Sequence, residues 1–149
     1  MKLFCLVACT LAACAVTDDR PETFAYINET ILAPSCGTTL CHSAMKKAGG
    51  YAFDSLANTA ASFALSNAPP RIAYERLIVT CDRVMNPQPS PCDQAIQESF
   101  LMTVMTTGSS PNGIDPNRPN RMPLDQPLAS KDLVFIADWI RNGADGYTP

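Results

Sequence analysis

The sequence predicts one all-α domain of short helices and long ordered loops, and three observations lead there. Apolar residues recur at helical spacing near both ends, around Phe24 and around Phe135. No stretch sustains the alternation of apolar and polar residues that a half-buried strand requires. Thirteen prolines, most of them in the second half, limit that half to short helices and ordered loops. With 46% hydrophobic and 17% charged residues, the 149-residue chain has the composition of a compact fold rather than a disordered one. A net charge of -3 gives nothing to replace the counterions of a nucleic acid, so no nucleic-acid partner is expected. Lys46 and Lys47, the only adjacent cation pair beyond the first residues, are read as a solvated face.

The N-terminus reads as an address. Lys2 precedes an apolar run from Leu3 to Ala13, too short to span a bilayer and typical of a secretory leader. The run ends in Leu11-Ala12-Ala13-Cys14, which resembles the lipobox of bacterial lipoproteins. That resemblance implies removal of residues 1–13, lipid on Cys14, and export to the bacterial cell envelope. The alternative is an ordinary small-residue cleavage site that happens to precede a cysteine. Residues 14–22 then form a short tether, and residues 23–146 the folded domain.

Helices follow in order. Phe24, Ile27, Ile31 and Leu32 mark the buried stripe of a first helix, closed by Pro34. Asp54 to Leu65, Arg71 to Thr80 and Asp93 to Thr106 are the middle helices. Thr107 to Ser130 carries no helical pattern, and a loop that long in a small domain usually has a function. The last helix is the clearest: Ser130 as N-cap, Asp132 in the first turn, Arg141 in the last, Gly143 as stop. Leu133, Ile136, Ala137 and Ile140 form its buried face.

Seven cysteines need accounting. Cys5 and Cys9 depart with the leader, and Cys14 carries lipid. Cys81 and Cys92 bracket a proline-rich segment with little to pack, where a disulfide would contribute about 3 kcal/mol by loop closure. Cys36 and Cys41 differ, because His42, the sole histidine, follows directly. Cys-x-x-Cys-His is the attachment signature of c-type haem: two thiols bond the porphyrin and the next imidazole is held beneath the iron. Here the run Cys36-Gly37-Thr38-Thr39-Leu40-Cys41-His42 is two residues longer, and Gly37 supplies backbone freedom for the bulge. A plain Cys36–Cys41 disulfide and a zinc site built on Cys36, Cys41 and His42 are the competing readings.

One histidine excludes two imidazole ligands, so a low-spin haem carrier would take methionine as its sixth ligand. Met45 lies too close to His42 to reach the other side of the ring. Met102 and Met105 sit in an apolar stretch and read as packing, and Met85 lies between Cys81 and Cys92. Met122, in Arg121-Met122-Pro123 of the long loop, is the candidate. Arg118 and Arg121 are read as hydrated loop cations.

Taken together, Ile31-Leu32 before Cys36…Cys41-His42, then Gly49-Gly50, Met122-Pro123, Pro127-Leu128 and Trp139-Ile140-Arg141-Asn142-Gly143-Ala144 resemble a class I cytochrome c domain. The resemblance covers most of residues 23–146 and is nearest to domains carried by bacterial lipoproteins. It implies a small helical fold with long ordered loops around one haem c, bound covalently through Cys36 and Cys41. It also implies His42 and Met122 as iron ligands, crossing first and last helices, and Trp139 packed in their contact. The longer attachment loop and an insertion holding Cys81 and Cys92 depart from that pattern. The expected function is single-electron transfer without catalysis, to a membrane-bound or membrane-anchored redox protein, from a chain held at the bilayer by Cys14. A haem-free lipoprotein stabilised by disulfides, and a haem sensor or enzyme with a displaceable sixth ligand, are the alternatives.

Overall fold

A computed structural model describes residues 18–67, 76–84, 90–106, 121–124 and 126–147. The leader, Cys14, Met85 and Arg118 lie outside the described residues. The fold is all-α, with no strand among the described residues. We number five helices. α1 spans residues 24–35, α2 Leu56–Asn67, α3 Pro91–Glu98, α4 Phe100–Thr106 and α5 Ser130–Arg141. None of these is long and apolar enough to cross a membrane.

α1 starts where Thr23, in extended conformation, accepts the Tyr26 N–H on its side chain. It does not close at Pro34. Phe24–Ile27 is α-helical, Asn28–Leu32 forms a π turn, and Ala33–Ser35 returns to α geometry with Pro34 inside. A proline strains a four-residue ladder through its ring and its missing N–H, and the wider turn directly upstream loosens that ladder. Asn28 opens the π turn, is buried, and takes the Thr59 hydroxyl from α2 on its Oδ1. A satisfied polar pair of this kind fixes the register of α1 on α2 inside an apolar interior.

α1 also packs on α5. Phe24 stacks on Trp139 at 6.0 Å between ring centres, and Tyr26 meets Phe135 edge-on at 5.9 Å. Trp139 is fully buried, and its indole N–H donates to the Asp145 carbonyl at 3.0 Å, an acceptor shared with the Phe24 N–H. Ser130 is the first residue of α5 rather than its cap. Ala129 holds the cap position, and its carbonyl accepts from Asp132 and Leu133, which extends the helix by one residue. The stop falls at Gly143 as expected. Gly143 takes a left-handed φ of 99°, its N–H donates to Ile140, and the Ala144 N–H reaches back to Trp139, the paired bonds of a Schellman ending.

The middle of the chain differs most from the sequence reading. α2 begins and ends two residues later than expected. The described part of the expected Arg71–Thr80 helix, residues 76–80, is not helical: it bends at Leu77 and is extended at Thr80, and Leu77, Ile78, Val79 and Thr80 are all buried. Burial of four consecutive residues suits a chain covered on all sides, which a helix with one solvent face cannot match. The expected Asp93–Thr106 helix is two helices broken at Ser99. Both departures have one cause. The Phe100 and Leu101 N–H groups donate to the Arg76 and Leu77 carbonyls, while Ser99 Oγ accepts the Val79 N–H at 2.9 Å. The non-helical segment thus satisfies the amides that a continuous helix would have turned on itself. The Cys81–Cys92 disulfide fastens the end of this segment to the start of α3, as the cysteine spacing predicts.

Ser99→Ala removes the acceptor of a buried N–H while leaving the apolar packing in place. It is expected to lower stability by about 1–3 kcal/mol, read as a shift in the urea midpoint.

Candidate functional site around His42

Between α1 and α2 the chain folds back on itself twice, and both turns converge on His42. The α1 ladder runs on through Cys36 and Gly37, whose N–H groups donate to the Leu32 and Ala33 carbonyls. A tight turn follows, with the Cys41 N–H on Thr38 O, and the His42 N–H then closes onto the Cys36 carbonyl at 3.1 Å. The two extra residues of the motif are therefore taken up inside a loop whose two ends stay hydrogen-bonded to each other. Thr38, Thr39 and Leu40 project outward and are exposed.

Residues 51–54 form the wall that holds His42. The Phe53 N–H donates to the His42 carbonyl at 2.6 Å, and the Ala44 N–H donates to the Asp54 carboxylate at 2.7 Å. Ala52 is locked in turn by Ser62 of α2, which accepts the Ala52 N–H at 2.8 Å and donates to its carbonyl at 2.9 Å. The Ala44 amide, and after it the Asn58 side chain, hold the Asp54 carboxyl below the usual carboxylate range. Gly37 serves a purpose other than the freedom its place in the motif suggests. Its φ is not left-handed, and a Cβ there would stand 2.7 Å from the Asp54 Cα. Only a residue without a side chain lets the attachment loop lie against this wall.

The imidazole is oriented by the same wall. His42 Nδ1 lies 3.3 Å from the Tyr51 carbonyl oxygen. A carbonyl only accepts, so the contact is a hydrogen bond where Nδ1 carries the proton, and in that neutral tautomer Nε2 offers its lone pair. A backbone carbonyl on one ring nitrogen is the usual means of presenting the other to a metal. Phe53 packs on the ring at 5.0 Å between centres and limits its rotation.

Two clefts adjoin His42, and both are lined by Cys36, His42 and Met122. The first, with about 650 Å³ of free space, is walled by Tyr51 and Phe53 on one side and Leu77, Phe100, Leu101, Val104 and Met105 on the other. The second, about 600 Å³, adds Cys41, Pro123 and Leu124. The four residues singled out by sequence, Cys36, Cys41, His42 and Met122, thus meet in one region from opposite ends of the chain. Met122 is half-buried, its N–H donates to the Val104 carbonyl at 2.7 Å, and the Met122–Pro123 peptide is cis. Met102 and Met105 are buried on α4 as packing residues, although Met105 also reaches the first cleft, and Met45 is almost fully exposed. Arg121 is exposed.

Cys36 and Cys41 are both free thiols, the first buried and the second exposed. Burial, and then the neighbouring Cys41, push the Cys36 thiol up from 9.0 to about 11. Among the described residues no three His, Cys, Asp or Glu side chains gather as a metal-binding group. The wall itself, Tyr51 to Asp54, is absent from the sequence reading. The Phe53 ring and the Asp54 carboxylate contribute beside the Tyr51 carbonyl and the Phe53 amide, and those backbone groups carry no residue signature. No family model, curated protein or solved structure matches this chain.

Raising a thiol from 9.0 to about 11 lowers its thiolate fraction at pH 8 by about a hundredfold. In haem-free folded protein, iodoacetamide is therefore expected to label Cys41 well before Cys36, as peptide mapping of a time course would read. Equal labelling would contradict the burial of Cys36.

Proposed function

We propose that the chain is a lipid-anchored monohaem cytochrome of the c type that transfers single electrons. The observation that carries this reading is the meeting of Cys36, His42 and Met122 on the same two clefts, with His42 Nδ1 facing the Tyr51 carbonyl. The donor set fits a covalently bound haem: two free thiols, an imidazole with one nitrogen on a backbone carbonyl and a thioether. The walls fit as well, since the first cleft is lined almost wholly by apolar and aromatic side chains.

In this reading Cys36 and Cys41 hold the porphyrin as thioethers, and His42 and Met122 hold the iron. When bound, the haem supplies an iron that accepts and returns one electron. The chain's own part is positional. The Tyr51 carbonyl and the Phe53 ring keep the imidazole in one orientation, so little needs to rearrange between oxidation states. Phe53, Leu77, Leu101 and Val104 exclude water from the cleft and lower the local dielectric, which with methionine ligation favours a raised reduction potential. The closure of His42 N–H on Cys36 O supports this reading, because it keeps the backbones of the first cysteine and the histidine hydrogen-bonded despite two added residues.

Lipid on Cys14 confines the domain to a membrane surface, and a membrane-bound or membrane-anchored redox protein is the partner such confinement suits. No part of the reading requires a catalytic acid, base or nucleophile.

Protein made with c-type maturation machinery is expected to be red, to give the pyridine haemochrome of a thioether-linked haem, and to exceed its polypeptide mass by one haem. Met122→Ala should abolish the methionine-ligated spectrum, while Met105→Ala should leave it in place. A colourless product would refute the proposal. Haem whose spectrum ignores Met122→Ala would instead favour a sensor or enzyme with a displaceable sixth ligand.

A further inference from the structure

We infer that Arg20 is a buckle that ties the anchored end of the chain to the α1–α5 face, so that this face lies toward the bilayer. The inference rests on the reading of Cys14 as the lipidated residue and deepens it by naming which side of the domain the membrane meets.

Arg20 spends its donors on two partners at once. Nη1 donates to Asp132 Oδ1 at 2.6 Å and Nη2 to the Lys131 carbonyl at 3.0 Å, both in the first turn of α5. Nε and Nη2 also hold the Asp18 carboxylate, at 2.9 and 2.6 Å. The guanidinium lies 4.1 Å above the centre of the Phe135 ring, beside the α1 residue Tyr26. Its side chain is only 20% exposed, and the bond to Asp132 is part-buried, while those to Asp18 and the Lys131 carbonyl are exposed. Two residues on, the Glu22 carboxylate accepts from the Asn142 amide at 2.6 Å, beyond the other end of α5. The chain is therefore held to α5 from Arg20 onward, four residues before α1 begins.

Reach decides what this does. From Cys14 to Arg20 the extended chain spans at most about 21 Å. If the hold began only at the first helix, the span would be about 30 Å. A compact domain of this length has a radius of gyration of about 14 Å and is about 35 Å across. The shorter span cannot bring the far pole of such a body to the lipid surface, whereas the longer one nearly can. Buckled, the domain keeps its α1–α5 side toward the membrane; unbuckled, it can roll. The outward side of α5 there carries Lys131 and Val134, both exposed, a cation and an apolar side chain that an anionic headgroup layer accommodates.

The test uses the full lipidated holoprotein on vesicles of phosphatidylcholine and phosphatidylglycerol, with a nitroxide introduced by Val134→Cys. The label is expected to collide less with a water-soluble paramagnetic relaxant on vesicles than in the same protein made unlipidated by Cys14→Ser. Arg20→Ala, which leaves Glu22 on Asn142 as the first hold, lengthens the reach from about 21 Å to about 28 Å and should raise that collision rate roughly 1.5-fold. Asp132→Asn, which leaves Arg20 in place, should move it in the same direction. A Val134 label equally accessible in lipidated and unlipidated protein overturns the inference, as does a protected label that Arg20→Ala leaves unchanged. Protein that fails to bind vesicles at all refutes the lipid anchor itself, and the orientation with it.

Discussion

Everything at the candidate site depends on the backbone being held on both sides of His42. Its N–H is spent on Cys36 and its carbonyl on Phe53, and its ring nitrogen faces Tyr51. The residues that hold it are held in turn: Ser62 locks Ala52, and Thr59, one turn earlier on α2, bonds Asn28 of α1. An unbroken series of satisfied polar contacts therefore runs from the first helix to the imidazole. Such contacts contribute modestly when made but are costly to leave unmade once buried, so they specify one arrangement more than they add stability. Gly37 belongs to the same constraint, since a side chain there would drive the Cys36 loop away from Asp54.

The opposite wall of the first cleft arises differently. Leu77 comes from a non-helical segment, and Phe100, Leu101, Val104 and Met105 from a seven-residue helix. Neither piece is stable alone: the helix is too short to nucleate in isolation, and the non-helical segment has no sheet to join. Each supplies the other's missing hydrogen-bond partners, and the Cys81–Cys92 disulfide together with the Asp93–Arg141 ion pair fastens the unit to α5. The loop bearing Met122 joins through the Val104 carbonyl, so the position of the distal candidate is inherited from this wall.

These two walls meet on an aromatic core that links the chain ends. Phe53 and Phe63 connect the His42 side to Phe24, and Phe24 connects to Trp139 and Tyr147. With the N- and C-terminal helices packed together, the site is built on an interior that both ends of the chain complete. The segment before the first helix lies along α5, with Arg20 on its first turn and Glu22 on Asn142 beyond its last.

The sequence by itself determined the helical class, the two terminal helices, the Gly143 stop, the Cys81–Cys92 pairing, and the candidate residues Cys36, Cys41, His42 and Met122. Each of these is written in local spacing or in residue chemistry, which a chain displays before it folds. Tertiary structure alone decided that α1 continues past Pro34, that residues 76–80 are not helical, that Ser99 breaks the helix, and that the Tyr51 carbonyl orients His42. Those outcomes depend on which distant N–H or C=O a backbone group finds, and every residue type offers the same two groups. Where side chains carry the signal the chain is legible; where the backbone bonds across long separations, only the folded molecule specifies the partner.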